Sequence, residues 1–476
     1  MVMKFFNSFG NKLEEFKPIK AGFVGLYTCG PTIYNYAHIG NLKCYTWEDL
    51  LKRYLLFRGY QVKQVMNYTD IDDKTIKGSR AEKIPLEEFT EKYRKAFHED
   101  IKTLNIMPAE IYCAATKHIP EMVALIEKLL AKGVAYKGED GSIYFSIKKF
   151  PAYGKLAGLD PTKLKAGARI KQDEYEKEGV GDFALWKAWD ENDGPVFWET
   201  KLGKGRPGWH IECSAMSMKY LGEHFDMHMG GTDNKFPHHE NEIAQSEAAT
   251  GKKFVNYWMH TAHLMVNGEK MSKSLGNFYT LRDLLAKGMK PMAIRYVFLN
   301  THYRQPVNFT FDSINDAQKT LDGLQNLIER LQTIKTKDTN GEADGTKEVK
   351  QLSTKATEGF ISGMDNDLSV PEAMKHVFEF AKKVNKMIDN EEVGSSAAEE
   401  ALDFLKKINS VMGVLNFEEK FIEISDDITS LIEARNAARK EKDWKKSDEM
   451  RDKIKALGYI LVDNKDGTTT AKPIEN

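Results

Sequence analysis

The sequence predicts an α/β protein in which a parallel-sheet domain is split by an insertion and followed by a helical bundle and a small C-terminal unit. Three observations predict it. Strand-like, helical and again strand-like patterning follow one another between residues 23 and 66. Sheet patterning returns at residues 223–229, after a stretch punctuated by Gly and Pro, and beyond about residue 310 the apolar spacing is helical. At 476 residues the chain is long enough for about three domains and at least one large core.

Phe23–Tyr27 is short and apolar, and Gly30-Pro31 punctuates it. From Asn41 to Arg58 apolar residues, among them Leu42, Trp47, Leu51 and Tyr54, recur at helical spacing, and Gly59 supplies a stop. Val62–Met66 then alternates as a strand does. This strand–helix–strand unit belongs in a Rossmann-like parallel sheet, whose ligands bind at the carboxyl ends of the strands. Between about residues 120 and 200, Pro151, Gly154, Gly158, Pro161 and Gly167 are among the residues that punctuate short strands such as Ser142–Ser146, which reads as the insertion. The sheet resumes at Glu223–Met229, followed by Gly230-Gly231 and a helix from Pro237. Within the helical region, Thr336–Lys350 and Asp389–Ala397 are polar and predicted as loops. The end reads as one helix through Asp426–Leu457, a stop at Gly458 and a strand over Tyr459–Val462.

Lys and Arg number 69 against 70 Asp and Glu, a formal net charge of -1, with 41% hydrophobic and 29% charged residues. That composition excludes a fibrous or wholly disordered chain, and it carries no global charge that demands a nucleic-acid or membrane partner. Cys29, Cys44, Cys113 and Cys213 are too few and too scattered for a disulfide framework. No run reaches the ~20 apolar residues of a bilayer span, and the first residues form no signal-peptide core. A reduced, cytoplasmic protein is expected.

Lys270-Met271-Ser272-Lys273-Ser274 follows the strand-like Ala262–Val266. Two ammonium groups on a Ser-flanked loop suit a mobile clamp on a triphosphate, although such a loop taken alone is an ordinary solvated surface. Ala37-His38-Ile39-Gly40-Asn41 falls where the first strand meets the first helix. There His38 can donate to phosphate oxygens, Gly40 permits close backbone approach, and the helix N-terminus favours anions. Together and in this order, the two elements resemble the paired signatures of class I aminoacyl-tRNA synthetases. No Walker A pattern occurs. The G-x-G-x-x-G at Gly203–Gly208 follows no convincing strand and holds Pro207, so it reads as a chance match in a loop.

Tyr27–Asn41, Asn67–Lys74, the Trp209 stretch (Arg206–Ser214) and Phe236–Glu242 are similar to cysteinyl-tRNA synthetases, and the similarity runs over nearly the whole chain. The resemblance implies a zinc site of Cys29, Cys213, His238 and Glu242. On the residues alone, His238 and Glu242 share a helix face at i, i+4, and a sulfur, sulfur, nitrogen, oxygen set suits tetrahedral zinc. Each cysteine, however, fits a small buried hydrophobe as well. His239 is a competing ligand, expected to point elsewhere if His238 pairs with Glu242. The resemblance further implies a cysteine pocket of Cys29, Thr69, Trp209 and Asp233, with Asp233 on the substrate ammonium. It implies an ATP site of His38, Gly40, Asn41, Lys270, Ser272 and Lys273, with Mg²⁺ accompanying ATP. His38, Lys270 and Lys273 would stabilise the transition state. Direct binding of the substrate sulfur to zinc would select against serine chemically, since size alone separates such similar side chains by only a few kcal/mol.

The implied partners are tRNA(Cys), ATP and L-cysteine, with no membrane and a monomeric chain. The expected domains are the Rossmann-like catalytic halves at 1–120 and 205–265, the connective insertion at 121–204 and a stem-contact region at 266–310. A helical bundle at 311–420 and an anticodon-binding domain at 421–476 complete the chain. In that last domain Leu431–Gly458 carries more basic than acidic residues, and Trp444 sits among Lys442, Lys445 and Lys446, where a ring can stack an unpaired base. Residues matching Arg439, Trp444, Asp448 and Asp463 read the anticodon in the family. Met229 and Asn234 depart from the family pattern beside the nucleotide site. Two other readings stay open: a cysteine-activating ligase acting on an amino sugar, and a non-catalytic RNA-binding paralogue. The first would lack the terminal RNA-binding unit, and the second has no use for an intact phosphate loop and metal set.

Overall fold

A computed structural model describes residues 2–159, 169–170, 181–272, 275–336, 345–418, 426–463 and 469–473. Five strands, β1 (Phe23–Thr28), β2 (Gln61–Tyr68), β3 (Ile111–Ala114), β4 (Phe225–Gly231) and β5 (Val255–Thr261), form a parallel sheet in the order β5-β4-β1-β2-β3. The chain runs outward from β1 through β2 to β3, then re-enters on the other side at β4. The carboxyl ends of β1 and β4 therefore flank a topological switch point, where sheets of this kind bind ligands.

Between β1 and β2 lies α1 (Ile39–Phe57), which buries Leu42, Trp47, Leu50, Leu51 and Tyr54. The helix starts two residues earlier than its apolar pattern, because His38 and Asn41 close a reciprocal capping box. Nδ1 of His38 accepts from Asn41 N at 3.2 Å, and Asn41 Oδ1 accepts from His38 N at 3.3 Å. Gly30 is required by contact: a Cβ there would lie 1.8 Å from the Asn67 carbonyl oxygen, so only glycine lets the turn after Cys29 lie against β2. Two helices, α2 (Asp73–Glu82) and α3 (Leu86–Thr103), lead from β2 to β3.

The region expected to hold only short strands opens with a helix, α4 (Ile119–Ala131), whose Ile119, Met122, Leu125, Ile126 and Leu129 are buried at helical spacing. A second, mostly antiparallel sheet follows, with Asp182–Ala188 at its centre. Gly203–Pro207 is one of its strands and not a loop. It pairs with Asp182–Ala188, and Gly205 allows the approach, since a Cβ there would sit 2.2 Å from the Lys187 carbonyl oxygen. Arg206 on this strand pairs with Asp193 at 2.8 Å and with Asp73, and Lys187 reaches Asp73 at 3.1 Å, which ties the insertion to the start of α2.

The sheet domain resumes with α5 (Trp209–Leu221) before β4 and α6 (His238–Thr250) after it. Beyond β5 come a small three-stranded sheet that includes Leu264–Val266 and Glu269–Lys270, then α7 (Leu281–Ala286) and α8 (Pro291–Leu299). The bundle is α9 (Phe311–Thr336), α10 (Thr346–Asp365), α11 (Val370–Asp389) and α12 (Ser395–Met412). Helix therefore claims Thr346–Lys350 and Ser395–Ala397, which polarity had suggested were loop; residues 337–344 lie outside the described set. One fully buried side chain, Arg295 of α8, links sheet domain and bundle. Its guanidinium donates to Asp49 of α1, to the Met412 carbonyl at the end of α12 (2.8 Å) and to the Leu104 carbonyl (3.1 Å).

The chain divides into two units, Met1–Asn416 and Phe417–Asn476. In the second, α13 (Asp426–Lys440) and α14 (Trp444–Ala456) pack with a hairpin of Tyr459–Asp463 and Thr469–Pro473 around Ile428, Ile432, Ile454 and Ala471. The single helix expected here is broken. Lys442 takes a left-handed φ of 62°, and Asp443 caps α14 by accepting from Lys446 N at 3.1 Å. Among the described residues, no helix is long and apolar enough to cross a membrane.

Candidate functional site

Four side chains converge at the switch point. Cys29 follows β1, with its amide donating to the Met229 carbonyl of β4 at 3.3 Å; Cys213 lies on α5; His238 opens α6 and Glu242 lies one turn further along it. All four are buried, and their donor atoms lie within 4.8 Å of one another. His238 Nε2 is 3.3 Å from Cys213 Sγ and 3.1 Å from Glu242 Oε1. That carboxylate oxygen is buried and makes no hydrogen bond, so it converges on the other donors without being satisfied by them. A set of two sulfurs, an imidazole nitrogen and a carboxylate oxygen at this spacing fits zinc.

The surroundings are a belt of buried histidines. His228 Nε2 meets Glu242 Oε2 at 3.0 Å and stacks on Trp258 at 4.6 Å between ring centroids. His210 Nδ1 lies 3.0 Å from His238 Nδ1, and His239 Nδ1 lies 2.8 Å from His260 Nε2. His239 does not point away, as the i, i+4 argument had it. Its Nε2 is 3.3 Å from Cys29 Sγ, and Cys29, His228, His239 and Glu242 make a second convergent set sharing two members with the first. The start of α6 is enclosed on every side, with His238, His239, Glu240, Asn241 and Glu242 all buried, so a neighbour 100° round the helix still faces polar groups. Burial drives the Cys29 thiol well above its ordinary pKa and raises the Glu242 carboxyl. Burial also opposes ionisation of Cys213, but the neighbouring Cys29 and Tyr27 side chains outweigh it and hold that thiol below the ordinary value.

Thr69, at the end of β2, is buried, and its hydroxyl donates to Glu212 at 2.9 Å. Trp209 opens α5 and stacks on His238, with centroids 4.2 Å apart and planes 25° apart. Asp233 sits in the short turn after β4, largely exposed and 3.5 Å from His263. Thr69 and Trp209 thus stand beside the metal-type cluster, and Asp233 at the rim of the same sheet end.

On the other flank, His38 caps a 19-residue helix. Because its Nδ1 accepts from Asn41, the proton belongs on Nε2, which makes that nitrogen a neutral donor. Burial lowers its pKa to about 4, against the opposing charge of Asp233. The loop carrying Lys270 docks here: Ile39 N donates to the Tyr279 carbonyl at 3.0 Å, and His38 meets Phe278 edge to face at 5.2 Å. A Cβ on Gly40 would crowd both His38 (3.0 Å) and Met271 (3.3 Å), so glycine lets the loop close over the helix start. Lys270 is exposed. Lys273 lies outside the described residues. Sequence reasoning missed Asn277, whose Oδ1 accepts from Ser272 N at 2.8 Å and whose Nδ2 donates to the Lys270 carbonyl at 3.3 Å. It also missed His210, His228 and His260, for which buried polar residues in otherwise apolar elements were the available signal.

In the C-terminal unit Arg439 lies in the last turn of α13, Trp444 opens α14 at 60% exposure, and Asp448 pairs with Arg451 at 3.1 Å. Asp463 ends the first hairpin strand, and its side chain lies outside the described residues.

Residues 15–319 match the family described as "tRNA synthetases class I (C) catalytic domain", and the fold agrees: a methionyl-tRNA synthetase of Mycobacterium tuberculosis in complex with methionyl-adenylate superposes with a TM-score of 0.60 at 14% identity, covering 82% of this chain and 89% of that one. The Agrobacterium radiobacter LeuRS–tRNA–LeuAMS ternary complex gives 0.58 at 11% identity, over 84% and 85%. Fold and sheet-end site thus define a class I aminoacyl-tRNA synthetase. Residues 359–416 match the DALR domain, and 423–469 match the "Cysteinyl-tRNA ligase anticodon binding domain". The cysteine–tRNA ligase of Protochlamydia amoebophila is 49% identical over 99% of this chain and 98% of its own, and that of Brachyspira hyodysenteriae 50% identical over 97% and 98%. The chain belongs to the cysteine–tRNA ligase family.

Proposed function

We propose that the protein ligates L-cysteine to tRNA(Cys) in two steps at the switch point. The observation that carries this reading is the meeting, at one sheet end, of a thiol-rich donor set with a helix N-terminus capped by a neutral histidine. The cysteine carboxylate attacks the α-phosphorus of Mg²⁺-bound ATP and pyrophosphate leaves; a terminal ribose hydroxyl of the tRNA then attacks the cysteinyl carbonyl and AMP leaves. His38 Nε2–H, the amides at the start of α1 (Gly40, Asn41), Lys270, Ser272 and Lys273 hold the phosphates and their developing charge. No protein nucleophile is needed, and rate comes from position and electrostatics.

Cys29, Cys213, His238 and Glu242 would hold zinc, which when bound favours a substrate thiolate over the hydroxyl of serine. The two-sulfur set is preferred to the histidine-rich one because Cys213 is already biased toward thiolate, whereas His228 is committed to Glu242 Oε2 and leaves Oε1 for the metal. Trp209 and Thr69 wall the cysteine pocket, and Asp233 takes the ammonium. Arg439, Trp444, Asp448 and Asp463 would read the anticodon from the domain at 421–476, beyond the halves at 1–120 and 205–265, the insertion at 121–204, the stem-contact region at 266–310 and the bundle at 311–420. The working protein is a cytoplasmic monomer. The test is ATP–pyrophosphate exchange and charging of total tRNA with each amino acid in turn, with and without a zinc chelator. Cysteine-specific, chelator-sensitive activity in both assays is expected. Exchange without charging would point to the amino-sugar ligase, and no exchange would overturn both.

A further inference from the structure

The loop from Pro31 to His38 bridges the two halves of the site, and it presents two rings that the core does not enclose. Tyr34 is 36% exposed and Tyr36 is 37% exposed. The loop is pinned at both ends. Ile33 N donates to the Thr69 carbonyl and Thr69 N to the Pro31 carbonyl, each at 3.1 Å, and at the far end Ile39 N donates to Tyr279. Each ring also has a cation over it. Lys74 Nζ lies 5.5 Å from the Tyr34 centroid, and the Arg282 guanidinium lies 4.7 Å from that of Tyr36. Arg282 is itself anchored by Glu99 at 2.6 Å and by Asp100, and Tyr36 leans edge-on against Tyr93 at 5.5 Å.

Part-exposed aromatic rings, held in place at the rim of a site, are the chemistry that binds unpaired bases, because any base can stack on an exposed ring face. Position selects which bases. The loop runs from Thr69, beside the amino-acid pocket, to His38, beside the phosphates. On the ligase reading the carbonyl joining cysteine to AMP lies between those two points, which puts this rim beside the ribose that attacks it.

We propose that Tyr34 and Tyr36 form a stacking platform for the unpaired 3′ end of the tRNA substrate. The inference deepens the ligase reading and rests on it. The platform positions the terminal nucleotides for the second step and has no part in the first, so the two steps separate it from the phosphate machinery.

The test uses the full-length protein with Tyr34→Ala and Tyr36→Ala, each beside its Phe counterpart, in cysteine-dependent ATP–pyrophosphate exchange and in single-turnover transfer from preformed adenylate to a tRNA(Cys) transcript. Each Ala variant should slow transfer by about 5- to 100-fold while exchange stays within about twofold of wild type, and each Phe variant should restore transfer. Retained exchange also certifies the fold. Unchanged transfer in the Ala variants overturns the proposal, as does a Phe variant that fails as badly as Ala. Equal loss of exchange and transfer also overturns it, because the rings would then serve the adenylate step. A wild-type protein without cysteine-dependent exchange would instead refute the ligase reading, so the two failures are distinguishable.

Discussion

Asn277 offers the sharpest perturbation of the phosphate loop. The residue is 9% exposed and its side chain spans the loop's base, accepting from Ser272 N at 2.8 Å and donating to the Lys270 carbonyl at 3.3 Å. Asn277→Ala removes both bonds while leaving the loop's own backbone free to rehydrate. A net contribution of about 0.5–1.5 kcal/mol per bond makes the closed loop less stable by about 1–3 kcal/mol. If the loop must be closed in the transition state but not for amino-acid binding, the exchange kcat falls by about 5- to 150-fold at an unchanged cysteine KM. Asn277→Asp keeps the acceptor for Ser272 N and loses the donor, so it should fall between wild type and Ala. The assay is steady-state ATP–pyrophosphate exchange with cysteine and ATP varied separately. A kcat for the Ala variant within about twofold of wild type would refute the staple, and a cysteine KM rising in step with the loss would place Asn277 in the amino-acid pocket instead.

The remaining predictions concern the other parts of the machinery. One zinc per chain should be bound, and Cys213→Ser should lower zinc content and cysteine affinity together; a variant with full metal and wild-type affinity removes Cys213 from the site. His38 should keep a neutral imidazole across pH 5–8, since burial holds its pKa at about 4. The unfolded chain binds that proton near pH 6.5 and the folded one does not, so His38 makes stability fall as pH drops from about 6.5 toward 4. An NMR titration midpoint of its ring near 6.5 would contradict both statements. Trp444→Ala should leave exchange and thermal stability near wild type, because the ring is 60% exposed, while charging of tRNA(Cys) drops by about 10- to 100-fold. Equal loss of exchange and charging would make the ring a structural residue.

The first strand–helix–strand unit was legible because its periods are strong: β1 and β2 alternate or run apolar, and α1 repeats apolar residues such as Leu42, Leu50, Leu51 and Tyr54 at helical spacing. β5 was not, because both faces of the sheet are covered there and its sequence, Val-Asn-Tyr-Trp-Met-His-Thr, has no clean alternation to read. In α4 a helical repeat of Ile119, Met122, Leu125, Ile126 and Leu129 is present in the sequence, but a reading based on the Gly and Pro residues downstream passes over it. The break between α13 and α14 contains neither Gly nor Pro, and only Asp443 hinted at a new helix start. The site followed a similar division. His38 and the Lys270 loop announce themselves by local sequence. Cys29, Cys213 and the start of α6 come from three distant segments, and no spacing rule joins them; only resemblance to a family assembled the set before the fold brought it together. Asn277 looked like any polar loop residue, because what distinguishes it is the pair of backbone groups it bridges.

Arg295 bears on how this chain can be taken apart. Its charge is buried and its donors are divided among Asp49 of α1, the Leu104 carbonyl and the last carbonyl of α12, so a fragment ending after α8 would keep the guanidinium and lose the Met412 oxygen that helps satisfy it. Residues 1–416 therefore form one interlocked unit, in which cutting away the bundle would uncover a wall of α1 and strand part of the Arg295 charge. The closing sixty residues obey a different rule. Their small nucleus of Ile428, Ile432, Ile454 and Ala471 is drawn wholly from within the segment, which makes it the part of the molecule open to exchange, duplication or loss.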